Sequence, residues 1–302
     1  MDELLDPFED YYFIPDKKRL LKSLIHRFPA YLRVNTLKAG EAEIVDLLRR
    51  EGIETQPVKE VSFFYKANWE KGLGHSLTYK MGLIYPQALS SAMPVLALAP
   101  RPKEIILDMC AAPGGKTTHM AQTTGDQALI VANDRNLRRL TSLTSNLKRV
   151  GVTAAVVTSI SGEQFPPRPR FHKVLLDAPC SGEGKYKMDE AGNLLFKAQG
   201  RTNLAAIQKG LIVRAFDTLL PGACMVYSTC TINPMENEEV LSYLLKKRCA
   251  KLVPWKPPLT SHPGLLEFKG KPFHEECEHA RRFYPHEINS VGFFVAKIVK
   301  QD

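Results

Sequence analysis

The chain of 302 residues is 44% apolar and 24% charged, which excludes intrinsic disorder, a collagen-like repeat and a small disulfide scaffold. Lys and Arg number 41 against 32 Asp and Glu, so the formal net charge is +9. This excess favours a polyanionic partner such as nucleic acid, although many basic proteins bind none. Six cysteines are typical of reduced thiols in a cytoplasmic protein rather than of a secreted disulfide framework.

The N-terminus and the apolar segments argue against export and membrane insertion. The opening residues, MDELLDPFEDYYF, are acidic where a secretory signal is basic. The most apolar stretch, residues 81–100, is interrupted by Pro86, Gln87 and Pro94, whereas a bilayer span needs ~20 uninterrupted apolar residues. We therefore expect a soluble cytoplasmic monomer with no membrane partner.

Residues 1–85 are predicted to form a small α+β unit. Apolar spacing predicts a helix over residues 20–28, a strand over 31–37, a helix over 41–50 and a strand over 61–65. On charge alone, the basic residues of this unit favour a solvated positive face over a nucleic-acid site. They include Lys17, Lys18, Arg19, Lys22 and Arg33.

The remaining residues, 86–302, alternate strand and helix and form the second predicted domain. Strands are predicted at residues 104–108, 128–133, 154–158, 173–177 and 223–228, with helices reaching 124 and over 136–150 and 204–220. Such alternation predicts an α/β fold with a parallel sheet covered by helices on both faces. A final strand at residues 291–299 is expected to pair antiparallel with it.

Ligands of such sheets bind beyond the carboxyl ends of the strands, so the residues at those ends are the candidate site. The turn at residues 110–117, CAAPGGKT, ends like a phosphate loop, but Cys110 occupies the position of the required first glycine. Pro113 also removes a backbone N–H that would hold phosphate. An NTPase is therefore disfavoured, as is dinucleotide binding, because the Gly-x-Gly-x-x-Gly fingerprint is missing.

A carboxylate follows the next strand of the predicted sheet. Asp134 lies near the offset of ~20 residues at which an acid hydrogen-bonds a ribose in nucleotide-binding folds. Together with the tight turn after Asp108, it favours a nucleoside-bearing cofactor that lacks a pyrophosphate. A turn or helix N-cap acid is an equally good interpretation of Asp134 alone.

Several segments together resemble the Sun/NSUN-type RNA cytosine-5 methyltransferases. Three of them are LDMCAAPGGKT at residues 107–117, LDAPCSGEG at 176–184, and YSTCT at 227–231 followed by NPMENEE at 233–239. YLRVNTL at residues 31–37 resembles that family's RNA-facing segment, and residues 283–296 resemble its closing strand. The resemblance covers about residues 20–300. It implies a Rossmann-like class I methyltransferase domain, S-adenosylmethionine as cofactor and RNA as partner.

The resemblance also implies roles for three residues. Cys230 is expected to be the nucleophile, Cys180 to assist product release, and Asp177 to hold or protonate the cytosine ring at N3. Carbon 5 of cytosine is a poor nucleophile, so thiolate attack at carbon 6 is a sensible way to activate it. A lone cysteine is more often a small buried hydrophobe, but two at the ends of adjacent strands reverse that preference. The sequence does not identify what activates Cys230.

The expected cofactor contacts lie at the ends of three strands. Where the family usually carries an acid after the third strand, this chain has only hydroxyls, with Ser161 at the aligned place. Lys116 is expected to make a structural or active-site contact near the strand ends, or else to be a surface lysine. The complete expected set is Asp108, Cys110, Ala111, Ala112, Pro113, Gly114, Gly115, Lys116, Asp134, Ser161 and Asp177.

Candidate RNA contacts lie in two segments. Arg33 and Asn35 fall in the segment that resembles the family's RNA-facing one, and Lys185 and Lys187 follow the second signature, with Tyr186 and Arg201 nearby. A basic loop without RNA contacts is the alternative for the second group. We expect ribosomal RNA in preference to transfer RNA. A catalytically silent RNA-binding assembly factor is the alternative function.

The segment His274-Glu-Glu-Cys277-Glu-His279 contains histidine and cysteine residues of the kind that bind zinc. It lacks the fourth ligand of a closed pattern, so we assign no metal.

Overall fold

The computed structural model describes residues 6–26, 28–68, 72–168, 170–189, 193–195 and 203–301. The helices are α1 (Lys17–Ile25), α2 (Glu41–Arg50), α3 (Leu77–Lys80), α4 (Met93–Leu98), α5 (Gly115–Thr123), α6 (Leu137–Val150), α7 (Leu204–Asp217), α8 (Glu238–Lys247) and α9 (Pro285–Ile288). The strands are β1 (Ala30–Val34), β2 (Glu54–Pro57), β3 (Phe64–Asn68), β4 (Ile84–Pro86), β5 (Ile105–Asp108), β6 (Leu129–Asn133), β7 (Ala155–Thr158), β8 (Phe171–Asp177), β9 (Leu219–Thr229), β10 (Ala250–Leu252), β11 (His262–Pro263), β12 (Glu267–Phe268), β13 (Lys271–Pro272), β14 (Arg281–Phe283) and β15 (Phe293–Lys300).

The large sheet has the order β11-β14-β15-β9-β8-β5-β6-β7, and β10 pairs with β15. Strands β7, β6, β5, β8 and β9 are parallel, and β15 runs antiparallel to β9 with Phe294 opposite Thr229. The predicted parallel sheet and its antiparallel closing strand are confirmed. Because β6 and β8 lie on opposite sides of β5, the chain reverses direction here, and a crevice opens at the carboxyl ends of these strands.

The parallel strands are mostly apolar, as expected for a sheet that helices cover on both faces. Successive side chains of β8 point to opposite faces, so Leu175 packs with Met93 of α4 while Leu176 packs with Leu211 of α7. The first face holds α4 and α5, and the second holds α7 and α8. This packing fixes the strand ends that carry the candidate site.

Helix α6 illustrates how local sequence sets the element bounds. The Asn136 side chain accepts hydrogen bonds from the backbone N–H groups of Arg138 and Arg139, which caps the N-terminus. Gly151 ends the helix with a φ of 84°, a left-handed conformation that suits glycine. Both signals are visible in the sequence, and the observed bounds agree with the predicted ones.

The small sheet has the order β2-β3-β1-β4 and packs against α2. Leu32 and Val34 of β1 are fully buried with Ile44 and Leu48 of α2. The second predicted strand begins three residues later than expected, at Phe64. The reason is a turn over the preceding residues, in which Phe63 has a φ of 66°.

Contrary to the prediction, α1 does not pack within the small α+β unit. Its apolar residues Leu20 and Leu24 are buried together with Ile232 and Tyr284 of the large unit. The Tyr11 hydroxyl donates a hydrogen bond of 3.0 Å to Glu183 in the loop after β8. The N-terminal segment therefore lies over the edge of the candidate site. Within the described ranges, no helix combines the length and apolarity needed to cross a membrane.

Candidate active site

A cavity of about 540 Å³ opens at the carboxyl ends of β5, β6, β8 and β9. It brings together most of the residues that the sequence predicts for cofactor binding and catalysis. Among the predicted residues, Gly114 and Ser161 do not line it. Those that do are Asp108, Cys110, Ala111, Ala112, Pro113, Gly115, Lys116, Asp134, Asp177, Cys180 and Cys230.

The turn between β5 and α5 is held by contacts to β6 and α6. The Ala112 N–H donates to Asp134 Oδ2 at 3.3 Å, and the Arg139 guanidinium donates to the Ala112 carbonyl. Gly114 has a φ of 104°, and a Cβ there would lie 2.9 Å from Leu143 Cδ1. Gly114 is thus required by the shape of the turn rather than by contact with the cavity.

Three carboxylates, Asp108, Asp134 and Asp177, line the cavity together with basic side chains. Asp108 is 1% exposed and accepts a hydrogen bond of 2.7 Å from Thr117 Oγ1. Burial raises the pKa of Asp108 to about 7, the Thr117 hydrogen bond opposes this, and the nearby Asp177 charge adds to it. A cationic ligand in the cavity would be attracted to these groups.

The two cysteine thiols of the site are in direct contact. Cys180 Sγ and Cys230 Sγ lie 3.2 Å apart, on the loops that follow β8 and β9. The hydrogen bond with Cys180 and the positive charge of Lys185 lower the pKa of Cys230 to about 7, against the effect of burial. The hydrogen bond with Cys230 and burial raise the pKa of Cys180. The thiolate is therefore favoured on Cys230 and the proton on Cys180.

Asp177 lies next to this pair and is held from two sides. The Lys116 ammonium lies 2.7 Å from Asp177 Oδ2, and the Ser228 hydroxyl donates to Asp177 Oδ1 at 2.9 Å. The expectation that Lys116 makes a contact near the strand ends is confirmed. The ion pair fixes the direction of the carboxylate towards the cavity it lines.

The main chain of Gly184 joins the loops that carry the thiols. Its N–H donates to the Cys230 carbonyl at 3.0 Å, and its carbonyl accepts from the Gly292 N–H at 2.8 Å. A Cβ at position 184 would lie 2.4 Å from the Gly292 carbonyl oxygen and 2.8 Å from that of Cys230. Only glycine fits here, so the loops after β8 and β9 and the start of β15 meet through backbone.

Glu163 is a lining residue that sequence reasoning missed. Ser161 donates its hydroxyl hydrogen to Glu163 Oε2 at 2.7 Å instead of lining the cavity. A carboxylate is therefore present beside the third strand, two residues beyond the expected place. The signal in the sequence was the acid that follows Ser161 and Gly162.

The expectation that Arg33 and Asn35 contact RNA is wrong, because each is 1% exposed. The Arg33 guanidinium donates to Gln122 Oε1 at 2.7 Å and to the Thr118 carbonyl at 3.1 Å. The Asn35 amide donates to the carbonyls of Gly82 and Val150, both at 2.8 Å. These side chains join the small sheet to α5 and α6.

The basic residues after the second signature differ in their positions. Both lysines are exposed, but Lys185 lines the cavity that holds the thiols, whereas Lys187 does not line it. The Tyr186 ring is stacked on Phe8, with the ring centroids 5.5 Å apart. Arg201 lies outside the described residues.

Comparisons with known proteins agree with this geometry. A family model described as 16S rRNA methyltransferase RsmB/F matches residues 95–299. The tRNA (cytosine(49)-C(5))-methyltransferase of Pyrococcus abyssi is 38% identical over 97% of this chain and 94% of its own length. The human 28S rRNA (cytosine(4447)-C(5))-methyltransferase is 38% identical over 99% of this chain, but the match covers 38% of that longer protein.

A solved structure supports the same assignment. The crystal structure of a methyltransferase homologue from Pyrococcus horikoshii is 33% identical and superposes with a TM-score of 0.80, covering 94% of this chain and 90% of that one. The likeness confirms the Rossmann-like methyltransferase fold. The chain therefore belongs to the RsmB/F family of RNA methyltransferases, as its signature segments predict.

Proposed function

We propose that this enzyme transfers a methyl group from S-adenosylmethionine to carbon 5 of a cytosine in structured RNA, through a covalent bond between Cys230 and carbon 6. The observation that carries the proposal is the contact of 3.2 Å between the Cys180 and Cys230 sulfurs in one cavity with Asp177. This arrangement supplies a nucleophile, a proton carrier and a carboxylate around a space that can accept a base.

The residues of the cavity fit the proposed cofactor. S-adenosylmethionine supplies a methyl group on a positively charged sulfonium, and three carboxylates line the cavity. Asp108 is suited to the cationic part of the cofactor because ionisation of this buried carboxyl is favoured by a neighbouring positive charge. Asp134, at the end of β6, is proposed to bind the ribose. Glu163 adds a further carboxylate at the side of β7.

The proposed reaction begins with attack of the Cys230 thiolate on carbon 6 of the flipped-out cytosine. A sulfur–carbon bond forms as the ring double bond between carbons 5 and 6 opens, and its electrons would bond carbon 5 to the methyl group, whose bond to the sulfonium sulfur would break. Carbon 5 then loses its proton to solvent, the sulfur–carbon bond breaks, and the double bond and the thiolate are restored. Cys180 is proposed to assist this release because its thiol contacts the leaving sulfur.

Asp177 is proposed to stabilise the adduct. Its carboxylate lines the cavity and is held by Lys116 and Ser228, so it can accept a hydrogen bond from N3, without reorganising, once the ring has taken a proton there from solvent. A proton at N3 draws electron density from carbons 5 and 6, which favours attack by the thiolate.

RNA contacts are proposed for the unit of residues 1–85, with residues 86–302 as the methyltransferase domain. Lys18, Arg19 and Lys22 are exposed on α1, which packs beside the active-site loops, and Lys187 is exposed on the loop after β8. Basic side chains in such positions suit contacts to phosphates. We propose a monomeric, cytoplasmic enzyme whose substrate is ribosomal RNA. The Pyrococcus abyssi relative, matched over 94% of its length, favours transfer RNA as the second candidate.

The test uses the Cys230→Ala and Cys180→Ala variants with total RNA and S-adenosylmethionine. Cys230→Ala is expected to abolish methylation, and Cys180→Ala to leave a protein–RNA adduct that survives a denaturing gel. An adduct with Cys230→Ala but none with Cys180→Ala would reverse the two roles. Bisulfite sequencing of RNA from cells with and without the gene identifies the cytosine. If every methylated cytosine is still methylated in cells without the gene, the result would favour the catalytically silent assembly factor instead.

A further inference from the structure

The candidate active site contains two lysines in different surroundings. Lys116 forms an ion pair of 2.7 Å with Asp177, so its charge is already matched by a carboxylate. Lys185 lines the same cavity, and within the described ranges no acidic side chain forms an ion pair with it. Lys185 therefore brings a positive charge to the thiols that the carboxylates of the site do not neutralise.

The backbone places Lys185 beside the nucleophile. Lys185 is the last residue of a 3₁₀ turn over Glu183–Lys185, and its N–H donates to the Gly182 carbonyl at 2.9 Å. The preceding residue, Gly184, donates its N–H to the Cys230 carbonyl at 3.0 Å. Since no side chain fits at position 184, the start of the Lys185 side chain is fixed next to Cys230.

Three groups determine the charge state of Cys230. The hydrogen bond with Cys180 favours the thiolate, the positive charge of Lys185 also favours it, and Asp177 opposes it. In return, the nearby Cys230 raises the pKa of Lys185. Asp177 is engaged by Lys116, whereas Lys185 lines the same cavity one residue after the backbone contact of Gly184 with Cys230, so its positive charge lies near the sulfur.

We propose that the Lys185 ammonium stabilises Cys230 as a thiolate for the methylation put forward above, and stabilises that thiolate again when the product leaves. The role rests on that proposed function. The Cys230 proton passes to solvent, and Lys185 keeps all its protons. When sulfur bonds to carbon 6, its negative charge moves into the ring. When that bond breaks, the electron pair returns to sulfur beside the ammonium, and nothing is oxidised or reduced.

The test is a titration of the Cys230 thiol in the full chain, without RNA or cofactor. Iodoacetamide is the probe, and mass spectrometry of the tryptic peptides separates Cys230 from Cys180. The alkylation rate is followed between about pH 5.5 and 9.5, a range that includes the ordinary thiol pKa of ~8.5. The variants are Lys185→Met, which removes the charge, Lys185→Arg, which keeps it, and Lys187→Met as a neighbouring control.

Lys185→Met is expected to slow alkylation of Cys230 at pH 7 by on the order of tenfold, corresponding to one pKa unit, and to approach the wild-type rate at high pH. Lys185→Arg and Lys187→Met are expected to keep the wild-type titration. Lys185→Gln takes the place of Lys185→Met if the methionine variant does not fold. An unchanged titration after loss of the charge would overturn the proposal.

Methylation assays separate this proposal from the one on which it rests. Lys185→Met is expected to lose methylation at pH 7 and to recover most of it at pH 9, because the thiol ionises unaided there. If the wild-type chain methylates RNA, but Lys185→Met leaves the titration of Cys230 unchanged, only the role of Lys185 is refuted. A shifted titration in a chain that methylates no RNA refutes the proposed function, and with it any catalytic role for Lys185.

Discussion

The interface between the small sheet and α5, and the cavity at the strand ends, both contain basic side chains, but with different partners. At the interface, Arg33 donates to neutral oxygens, those of Thr118 and Gln122. In the cavity, Lys116 forms an ion pair with a carboxylate, and Lys185 lies near a thiol. Because the partners of Arg33 are neutral, its hydrogen bonds only connect the small sheet to α5. The partners of the two lysines can ionise, so the lysines can stabilise negative charge in the cavity.

The difference shows that the function of a cation depends on the groups around it. Burial lowers the pKa of Arg33, and within the described ranges no acidic side chain forms an ion pair with it. Its two terminal nitrogens are hydrogen-bonded, whereas Nε is buried without a partner. The following predictions test the two halves of this comparison.

The largest effect is expected from Lys116→Met in the cavity. Removing the ammonium frees the Asp177 carboxylate to turn away from the base, so we expect kcat for RNA methylation to fall about 100-fold, or ~2.7 kcal/mol. The free energy of unfolding is expected to change by less than about 1 kcal/mol because Asp177 remains partly exposed. Steady-state kinetics and urea titration measure both. Lys148→Met, an exposed change on α6, is the control, and a large stability loss without loss of kcat would contradict this role.

At the interface, Arg33→Met is expected to show the opposite pattern. The change leaves Gln122 Oε1 and the Thr118 carbonyl without their donor, and should lower the free energy of unfolding by about 2 kcal/mol. Binding of S-adenosylmethionine to the folded variant should be unchanged. Urea unfolding and calorimetric titration test this, with exposed Arg49→Met as the control. A more stable Arg33→Met protein would mean that the cost of burying the charge exceeds the gain from its hydrogen bonds.

Asp108→Asn tests the cavity through pH dependence. The pKa of Asp108 in the folded chain, about 7, lies above the ordinary value of 3.8, so its ionisation costs stability as pH rises from 4 through 7. Asparagine cannot ionise, and we expect it to raise the free energy of unfolding by about 2–3 kcal/mol more at pH 8 than at pH 5. Urea titrations at both pH values measure the difference.

The matched control is Asp46→Asn, because Arg49 holds the pKa of that exposed carboxylate below its usual value. Its stabilising contribution is present above the ordinary carboxyl pKa and is lost as pH falls. The control should therefore change stability in the opposite direction at neutral pH. Equal behaviour of the two variants would show that burial does not govern Asp108.

The smallest effect is expected from Lys187→Met, outside the cavity. Loss of one exposed phosphate contact should weaken RNA binding about two- to threefold at low salt, and less at high salt. Filter binding at two salt concentrations measures this. A loss of maximal methylation rate at saturating RNA would place Lys187 in the reaction itself.

The parts of this molecule that local sequence controls were predictable. Asn136 and Gly151 define α6 because their capping contacts involve only nearby backbone. Cys180, Cys230 and Asp177 could be placed together because adjacent parallel strands end at one edge. The start of β3 could not be predicted in this way. Phe63 has a left-handed backbone, which moves the start of the strand to the next residue, and no alternation pattern in the sequence indicates that conformation.

Contacts between distant segments were not predictable. The basic pattern around Arg33 does not show that its strand faces α5, so the sequence suggests an RNA contact where the structure has a buried joint. Likewise, the position of Lys185 near Cys230 depends on how closely two loops approach each other. The sequence analysis did not identify Glu163 because its carboxylate lies two residues from the aligned position, and only the loop geometry brings it to the cavity.

The meeting of three backbone segments at Gly184 has a consequence for the evolution and engineering of this enzyme. The main-chain hydrogen bonds of Gly184 set the spacing between the loops and do not depend on which side chain follows at position 185. Under the role proposed for Lys185, a substitution at that position is therefore expected to change the pH range in which Cys230 is a thiolate while the loop spacing is kept.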